Sequence, residues 1–559
     1  MQKKHLFMMS AASIMLLSSC SGKLGALSAD NFSVVPNPLE ANGGNVPATI
    51  NGMFPEGYMQ KKAVVTVTPE LRYGNGQVAR GESATFQGEK VEGNDQTIAY
   101  KVGGNYTMKT NFKYVPEMQK SELYLTFDAK VGNKQQEIPA IKVADGVIST
   151  GELGAATVEQ ATPSLSTDAF QRIIEKKQDA NIKFLIQQAN LRSSELKNNS
   201  VKEFVALLEK INKEKETLAL KNVEVSAYAS PDGGFDLNDK LAAKRQGNTE
   251  TYVKQQLKKT NNSTDVDAKY TAQDWEGFQE LVKVSNIQDK DVILRVLSMY
   301  KDPEEREQQI KNMSSVFREL ADGILPQLRR ARMTINYEVI GRSDDQIQEQ
   351  FKSDAKQLSI EELLYNASLT NNAAEKENIY KTASQLYPND ARAFNNLSML
   401  AYQRGDYSAA KSYAQKALNI DSNSADAKAN LGLVALKEGD VAKAEQLISQ
   451  ASGASNIKEA LGNLYIQQGK YAQAEQTLSN VNSNTAALAQ ILNKNYSAAS
   501  STLSNIKNPD STTDYLKAVL NARQGNTTAA ASALRDAISK DSKWADYASK
   551  DLELLNVSK

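Results

Sequence analysis

The alternation of apolar and polar positions is clearest between residues 223 and 229. Val223, Val225, Ala227 and Ala229 alternate with Glu224, Ser226 and Tyr228, the period-two pattern of a half-buried strand. Ser230-Pro231-Asp232-Gly233-Gly234 then breaks the strand, because proline fixes φ and glycine takes positive φ at little cost. From about Asp236 the period lengthens. Leu237, Leu241, Val253 and Leu257 predict the apolar face of a helix, with Lys244 and Arg245 on its polar side. A strand, a tight loop and a helix carrying an arginine make a pocket for an anion at the loop and helix start. The cation of that pocket is Arg245.

The same reading divides the rest of the chain. From Phe32 onward, short alternating segments such as Ala63–Thr68, Thr97–Tyr100 and Glu122–Phe127 are separated by turn signals at Gly74-Asn75-Gly76 and Gly103-Gly104-Asn105. About seven strands over roughly 120 residues predict an immunoglobulin-like β-sandwich over 32–160, a spacer or docking module. Residues 165–340 predict an α/β domain of order β-α-β-α-β-β. Ile182, Phe184 and Ile186 fit its first strand, and Ser200 with Glu203 fits a capping box ahead of a helix bearing Val201, Phe204, Val205, Leu208 and Ile211. Val266, Ala268 and Tyr270 fit a further strand, and Ala331 to Val339 the last. A helical insertion fills 273–327, able to cover the loop or to enlarge the core. Asp302 reads as the acidic start of one of its helices. Polar, Gln-rich 341–358 reads as a linker.

From Ser359 to Lys559 the chain repeats. Asn395-Asn396-Leu397 returns 34 residues later as Ala429-Asn430-Leu431, and Gly405-Asp406-Tyr407 as Gly439-Asp440-Val441. Echoes follow at Gly469-Lys470-Tyr471, Lys494-Asn495-Tyr496 and Gly525-Asn526-Thr527. Alanine allows close helix approach, and glycine the left-handed turn between helices. The pattern resembles tetratricopeptide (TPR) repeats, about five or six of them, forming an α-solenoid over 359–559. Such solenoids bind protein segments on the concave face, so the resemblance implies a protein partner there. Tyr402, Tyr407, Tyr413 and Tyr465 are either packing residues or peptide contacts.

The stretch around the central loop also carries a resemblance. Tyr228, Gly233, Asn238, Leu241 and Arg245 match the pattern of the OmpA-like, peptidoglycan-binding family, while Ala227, Ala229, Ala242 and Gln246 depart from it. Ser230 stands where the family has an aspartate, with Asp232 two residues away. The resemblance implies a grip on the wall peptide by Arg245, assisted by Asn238, Asp232 and Ser230. A calcium loop through Asp232, Asp236 and Asp239 lacks the ligand spacing of an EF-hand.

Composition narrows the chemistry. The chain has 66 basic and 66 acidic residues, one histidine and one cysteine, so a broad electrostatic grip on nucleic acid is not expected. Lys3 and Lys4, an apolar run from Leu6 to Leu17, and Leu17-Ser18-Ser19-Cys20 resemble a bacterial lipoprotein signal peptide (1–19) with lipidation at Cys20 and a tether over 20–31. That resemblance, to Bacteroidetes-type outer-membrane lipoproteins, implies lipid anchoring at the outer membrane facing the periplasm, since Ser21-Gly22-Lys23-Leu24 has no acidic run. His5 leaves with the signal peptide. A mature chain without histidine or free cysteine lacks the usual zinc ligands, Ser-His-Asp triads and cysteine nucleophiles. Carboxylate-only wall hydrolysis remains chemically open. The expectation is a non-enzymatic scaffold with no cofactor, no metal and no catalytic residue; the alternative is a peptidoglycan anchor.

Overall fold

The computed structural model describes residues 24–287, 289–312 and 318–557. The expected signal peptide and Cys20 lie outside the described residues. The chain divides into two compact units, one joining Met1–Thr167 to Thr370–Lys559, the other Asp168–Leu369. Sheets and helical repeats thus share one unit, and the α/β domain lies between its halves in sequence.

The N-terminal half of the first unit is sheet-rich. Asn45–Phe54 pairs antiparallel with Phe32–Val35 and with Gly104–Lys113. In a second sheet Ala63–Tyr73 pairs with Ser121–Val131 and Ala84–Gly88. Alternate residues point inward, as the pleat requires. Ile50, Phe54, Val65, Val67, Leu123 and Leu125 are fully buried in one core. The last strand, Val147–Ile148, pairs with Leu39–Glu40, so the sheets end short of the expected boundary at 160. The chain continues through a single-turn 3-10 element at Thr150–Leu153 and a short helix, Gly154–Glu159.

The C-terminal half stacks helix pairs: Ala391–Gln403 with Tyr407–Ile420, Ala425–Lys437 with Val441–Ile448, Ile457–Gln467 with Tyr471–Thr477, Asn484–Leu492 with Tyr496–Asn505, and Ser511–Arg523 with Thr527–Lys540. The turns within pairs need a left-handed residue, supplied by Gly405, Gly439, Gly469 and Gly525 at φ between 73° and 79°. Lys494 takes that conformation (φ 63°) in the fourth pair, which is why the repeat signal is faint there. Asp406, Asp440 and Asn495 cap the second helices. Ala410, Ala414, Ala444, Ala474, Ala499 and Ala530 are fully buried, their small side chains letting helices approach. The first helix of each pair also packs against the first helix of the next, so the first helices line one continuous inner face.

The second unit is a four-stranded sheet in the order Ile173–Lys183, Arg330–Ile340, Leu218–Tyr228, Val266–Thr271. The last pair is parallel and the other two antiparallel. Helices Asn199–Lys213 and Phe235–Lys259 bury Val201, Phe204, Leu208, Val253 and Leu257 against Ala180, Ile182, Val223, Val225 and Met333. Several details differ from expectation. The first strand starts earlier and stops at Lys183, leaving Ile186 58% exposed. Asn198, not Ser200, caps the first helix, accepting from the Val201 amide. The long helix buries Asn238, Ala242, Arg245, Thr249 and Val253, while Leu237 is 51% exposed. Its inward face is thus the one that carries Arg245.

The insertion forms helices Trp275–Val284, Lys290–Met299 and Pro303–Asn312, followed by a turn of π-helix and Leu325–Leu328, around their own core of Phe278, Val282, Ile293, Leu297, Leu320 and Leu328. Asp302 accepts from the Glu304 and Glu305 amides, as its helix-start reading requires. The expected linker contains a helix, Asp344–Asp354, closed by a Ser343/Gln346 capping box and anchored by buried Ile347.

The two kinds of turn glycine separate strain from collision. At Gly439 nothing lies within 4 Å of an added Cβ, whereas at Gly469 it would strike Asn42. Gly439→Ala should lower stability by about 1 kcal/mol through left-handed strain, and Gly469→Ala by at least about twice that, since a collision is added to the strain. Urea unfolding followed by Trp544 fluorescence in a Trp275→Phe background measures both.

Candidate functional site

The four groups expected to bind an anion do come together at the central loop, but they are turned on one another. The Ser230 hydroxyl donates to the Asp232 carboxylate. Arg329 closes the pair, its Nη2 3.0 Å from Asp232 and its Nε donating to the Ser230 hydroxyl at 3.3 Å. Asn238 Nδ2 donates to the carbonyls of Ser230 (3.0 Å) and Gly233 (2.8 Å). Arg245 is fully buried. It donates to the carbonyls of Gln188 (2.9 Å), Tyr228 (2.8 Å) and Leu185 (3.3 Å) and lies 5.0 Å from the Phe184 ring centroid. Burial, with the neighbouring Arg329 charge, pushes its pKa down to about 10, so it stays charged at neutral pH. The insertion covers the loop, and the cavity between Pro231, Asp232, Trp275, Phe278 and Leu325 holds about 10 Å³, room for about one water molecule and nothing larger. In this arrangement Arg245 ties the helix to three main-chain carbonyls, and Asp232 is an arginine partner.

The feature with the geometry of a binding site is the inner face of the repeats, and it is filled by the chain itself. Residues Ser149 to Thr167, here called the strap, run along the first helices. Its N-terminal part is anchored by apolar burial. Leu153 joins the core of the last repeats, and Val158 that of the middle ones. The Tyr402 hydroxyl donates to the Val158 carbonyl, Thr157 donates to Asn463 Oδ1 at 3.1 Å, and Gln160 bonds Thr512 and Asn484 at 2.8 and 2.7 Å.

Beyond Gln160 the strap is extended and read through its main chain. Asn430 accepts from the Ser164 amide at 2.6 Å and donates to its carbonyl at 2.8 Å. Asn396 does the same for Ser166, at 2.9 and 2.9 Å. A carboxamide with one donor and one acceptor in a plane thus imitates a neighbouring strand. Asn396 and Asn430 stand one repeat apart, and the residues they read stand two apart, the spacing that puts both on one side of an extended chain. Asn395 and Asn456 add bonds to the carbonyls of Ser164 (3.1 Å) and Pro163 (3.0 Å). Ser455 takes both main-chain groups of Leu165, and Asp426 accepts from the Ser166 hydroxyl.

In the sequence Asn396 and Asn430 stand out only as markers of the repeat. Their role had a visible signal: asparagine is costly to bury unless bonded, yet it recurs at 396, 430 and 463 among small and apolar neighbours. Of the four tyrosines considered, Tyr402 both packs (5.2 Å from the Tyr407 ring) and holds the strap. Missed as well was Glu459, on the helix face shared with Asn456 and Asn463. It is 7% exposed, and its Oε2 has no hydrogen-bond partner. Burial pushes this carboxyl up, with the hydroxyls of Ser483 and Thr485 pulling the other way. Among the described residues no group of three or more His, Cys, Asp or Glu side chains could hold a metal, and no helix is long and apolar enough to cross a membrane.

The sequence profile of the tetratricopeptide repeat family matches residues 401–456, and the C-terminal helical region carries TPR repeats. No curated protein matches the chain by sequence. Among solved structures, a tetratricopeptide repeat protein from Parabacteroides merdae is 13% identical, over 39% of this chain and 91% of its own, with a TM-score of 0.29. PilF of Pseudomonas aeruginosa is 19% identical over 38% and 98%, at 0.28. YrrB, a TPR protein with an unusual peptide-binding site, is 18% identical over 37% and 100%, at 0.22.

Two measurements follow from these buried groups. Arg245→Ala takes a donor from three main-chain carbonyls and empties a fully buried side-chain volume, and should destabilise the second unit by about 3 kcal/mol or more, read by urea unfolding through Trp275 in a Trp544→Phe background. For Glu459 the folded pKa lies above the unfolded one, so its contribution to stability is fully present below the unfolded value and is lost as pH rises through the folded value. Glu459→Gln should therefore raise the melting temperature of the first unit at pH 8 and change it little at pH 4, the two thermal scans giving the comparison.

Proposed function

We infer that this protein is a non-enzymatic scaffold of the bacterial envelope, held to the outer membrane by lipid on Cys20 and facing the periplasm, whose TPR repeats engage a protein partner. One observation carries the reading: the inner face of the repeats is built to hold an extended polypeptide, with Asn396 and Asn430 each satisfying both main-chain groups of one residue. The lipid anchor and location rest on Lys3, Lys4, the apolar run to Leu17 and the single cysteine. Kinship of the second unit with OmpA-like domains is supported by the matches at Tyr228, Gly233, Asn238, Leu241 and Arg245 and by the strand order. Peptidoglycan attachment through that unit is the weaker reading, because the arginine it needs is spent on main-chain carbonyls.

Crosslinking in whole cells followed by purification from membranes tests the scaffold directly. The expected result is a stoichiometric envelope protein crosslinked to the repeats, and a Cys20→Ser chain that leaves the membrane fraction while staying folded. A Cys20→Ser chain that remains membrane-bound removes the anchor from the account, and recovery of no partner removes the scaffold.

A further inference from the structure

The repeat groove already has an occupant, and that occupant fits it unevenly. The strap up to Val158 buries Leu153, Thr157 and Val158 against the repeat helices. From Ala161 to Ser166 the buried residues are Ala161, Pro163, Ser164 and Ser166, and the hold is almost wholly the asparagine and serine bonds to its main chain. Such bonds are indifferent to side chains, so another extended segment of small residues satisfies them equally. Within this stretch of groove lies a defect. Asn456, Glu459 and Asn463 share one helix face; the two asparagines bond the strap, while Glu459 keeps a buried oxygen with no donor. The strap brings no positive charge there: Gln160, Ala161, Thr162 and Pro163 are all neutral.

We propose that residues 160–167 are an internal stand-in for a partner segment, and that the partner is an extended peptide with small residues at alternate positions and one lysine or arginine that reaches Glu459. This rests on the protein-binding reading above and names the chemistry of its partner. Asn396 and Asn430 take the partner's main chain, Glu459 takes its cation, and the strap beyond Gln160 peels away while Leu153 and Val158 stay seated. The groove is closed in the resting protein and opens only to a ligand that supplies what the strap lacks.

The test uses the full mature chain and fluorescent peptides of the sequence Gln160–Thr167, unmodified or with lysine at one of positions 160 to 163, read by anisotropy. Ser164→Pro with Ser166→Pro removes the two amides that Asn430 and Asn396 accept from, without altering the repeats. That double variant should show faster hydrogen exchange at 160–167 and bind the unmodified peptide about tenfold more tightly than the wild type. One lysine peptide should gain about a further tenfold, a gain that disappears in Glu459→Gln, and Asn396→Ala with Asn430→Ala should abolish binding of every peptide. Unchanged exchange in the proline variant, no gain in affinity, or a flat lysine series overturns the proposal. A membrane partner recovered equally well by wild type and by the Asn396→Ala/Asn430→Ala chain also overturns it, and leaves the scaffold reading intact.

Discussion

The first unit depends on carboxamide side chains that pair with a main chain more than two hundred residues away. The bonds between Ser166 and Asn396, and between Ser164 and Asn430, span separations of 230 and 266 residues; that between Ser149 and Tyr547 spans 398. Ordering so long a loop costs entropy that rises only as the logarithm of its length, and the intervening residues fold into a unit of their own. An extended segment buried in a helical groove would leave its amides and carbonyls unmet, because helices keep their own main-chain groups to themselves. Asparagines at one-repeat spacing solve this, and they let the sheets, strap and repeats close into one body. At its C-terminal end the closure is electrostatic: Arg523 binds Glu553, which accepts in turn from Thr150, and lies 3.6 Å from Glu40.

The second unit uses the same principle with a cation. Arg245 stands where a reader of sequence expects a polar surface, yet it is fully buried and bonded to three carbonyls. A guanidinium can be buried when its donors are matched in geometry, and here irregular main chain at 185–188 and the end of the central strand provide the match. The insertion completes the closure, since Trp275, Phe278 and Leu325 pack over the loop that would otherwise open to a ligand.

Local periodicity made most elements legible. The central strand, the last strand, the long helix, the helical insertion and the repeat turns all follow from short-range patterns, because pleat and helix impose their periods on whatever residues must face the core. Three things stayed hidden for a common reason. The strap's destination, the inward orientation of Arg245 and the burial of Glu459 are set by segments far away in sequence, and no local period carries that information. The chain around Thr162 to Thr167 reads as an ordinary polar connection, since a segment recognised by its main chain needs no apolar stripe. Ser200 and Glu203 looked like a capping box, but Asn198 offered its carboxamide two residues sooner and also bonds the Asn181 carbonyl. In the fourth repeat Lys494 replaced the turn glycine, and the motif blurred while the turn persisted.

The discontinuity of the first unit has a bearing on birth order. A ribosome or export channel delivers the strap well before its groove: Ser166 precedes Asn396 by 230 residues, a delay of roughly 10 to 50 s at about 5–20 residues per second. During that interval the α/β unit already has its whole sequence and can fold, whereas the strap must wait unclaimed. Its small, hydroxyl-rich and proline-bearing composition suits such a wait, because it offers little for mistaken adhesion. Maturation therefore ends with the joining of the two ends, after the sheets and then the α/β unit have their whole sequences.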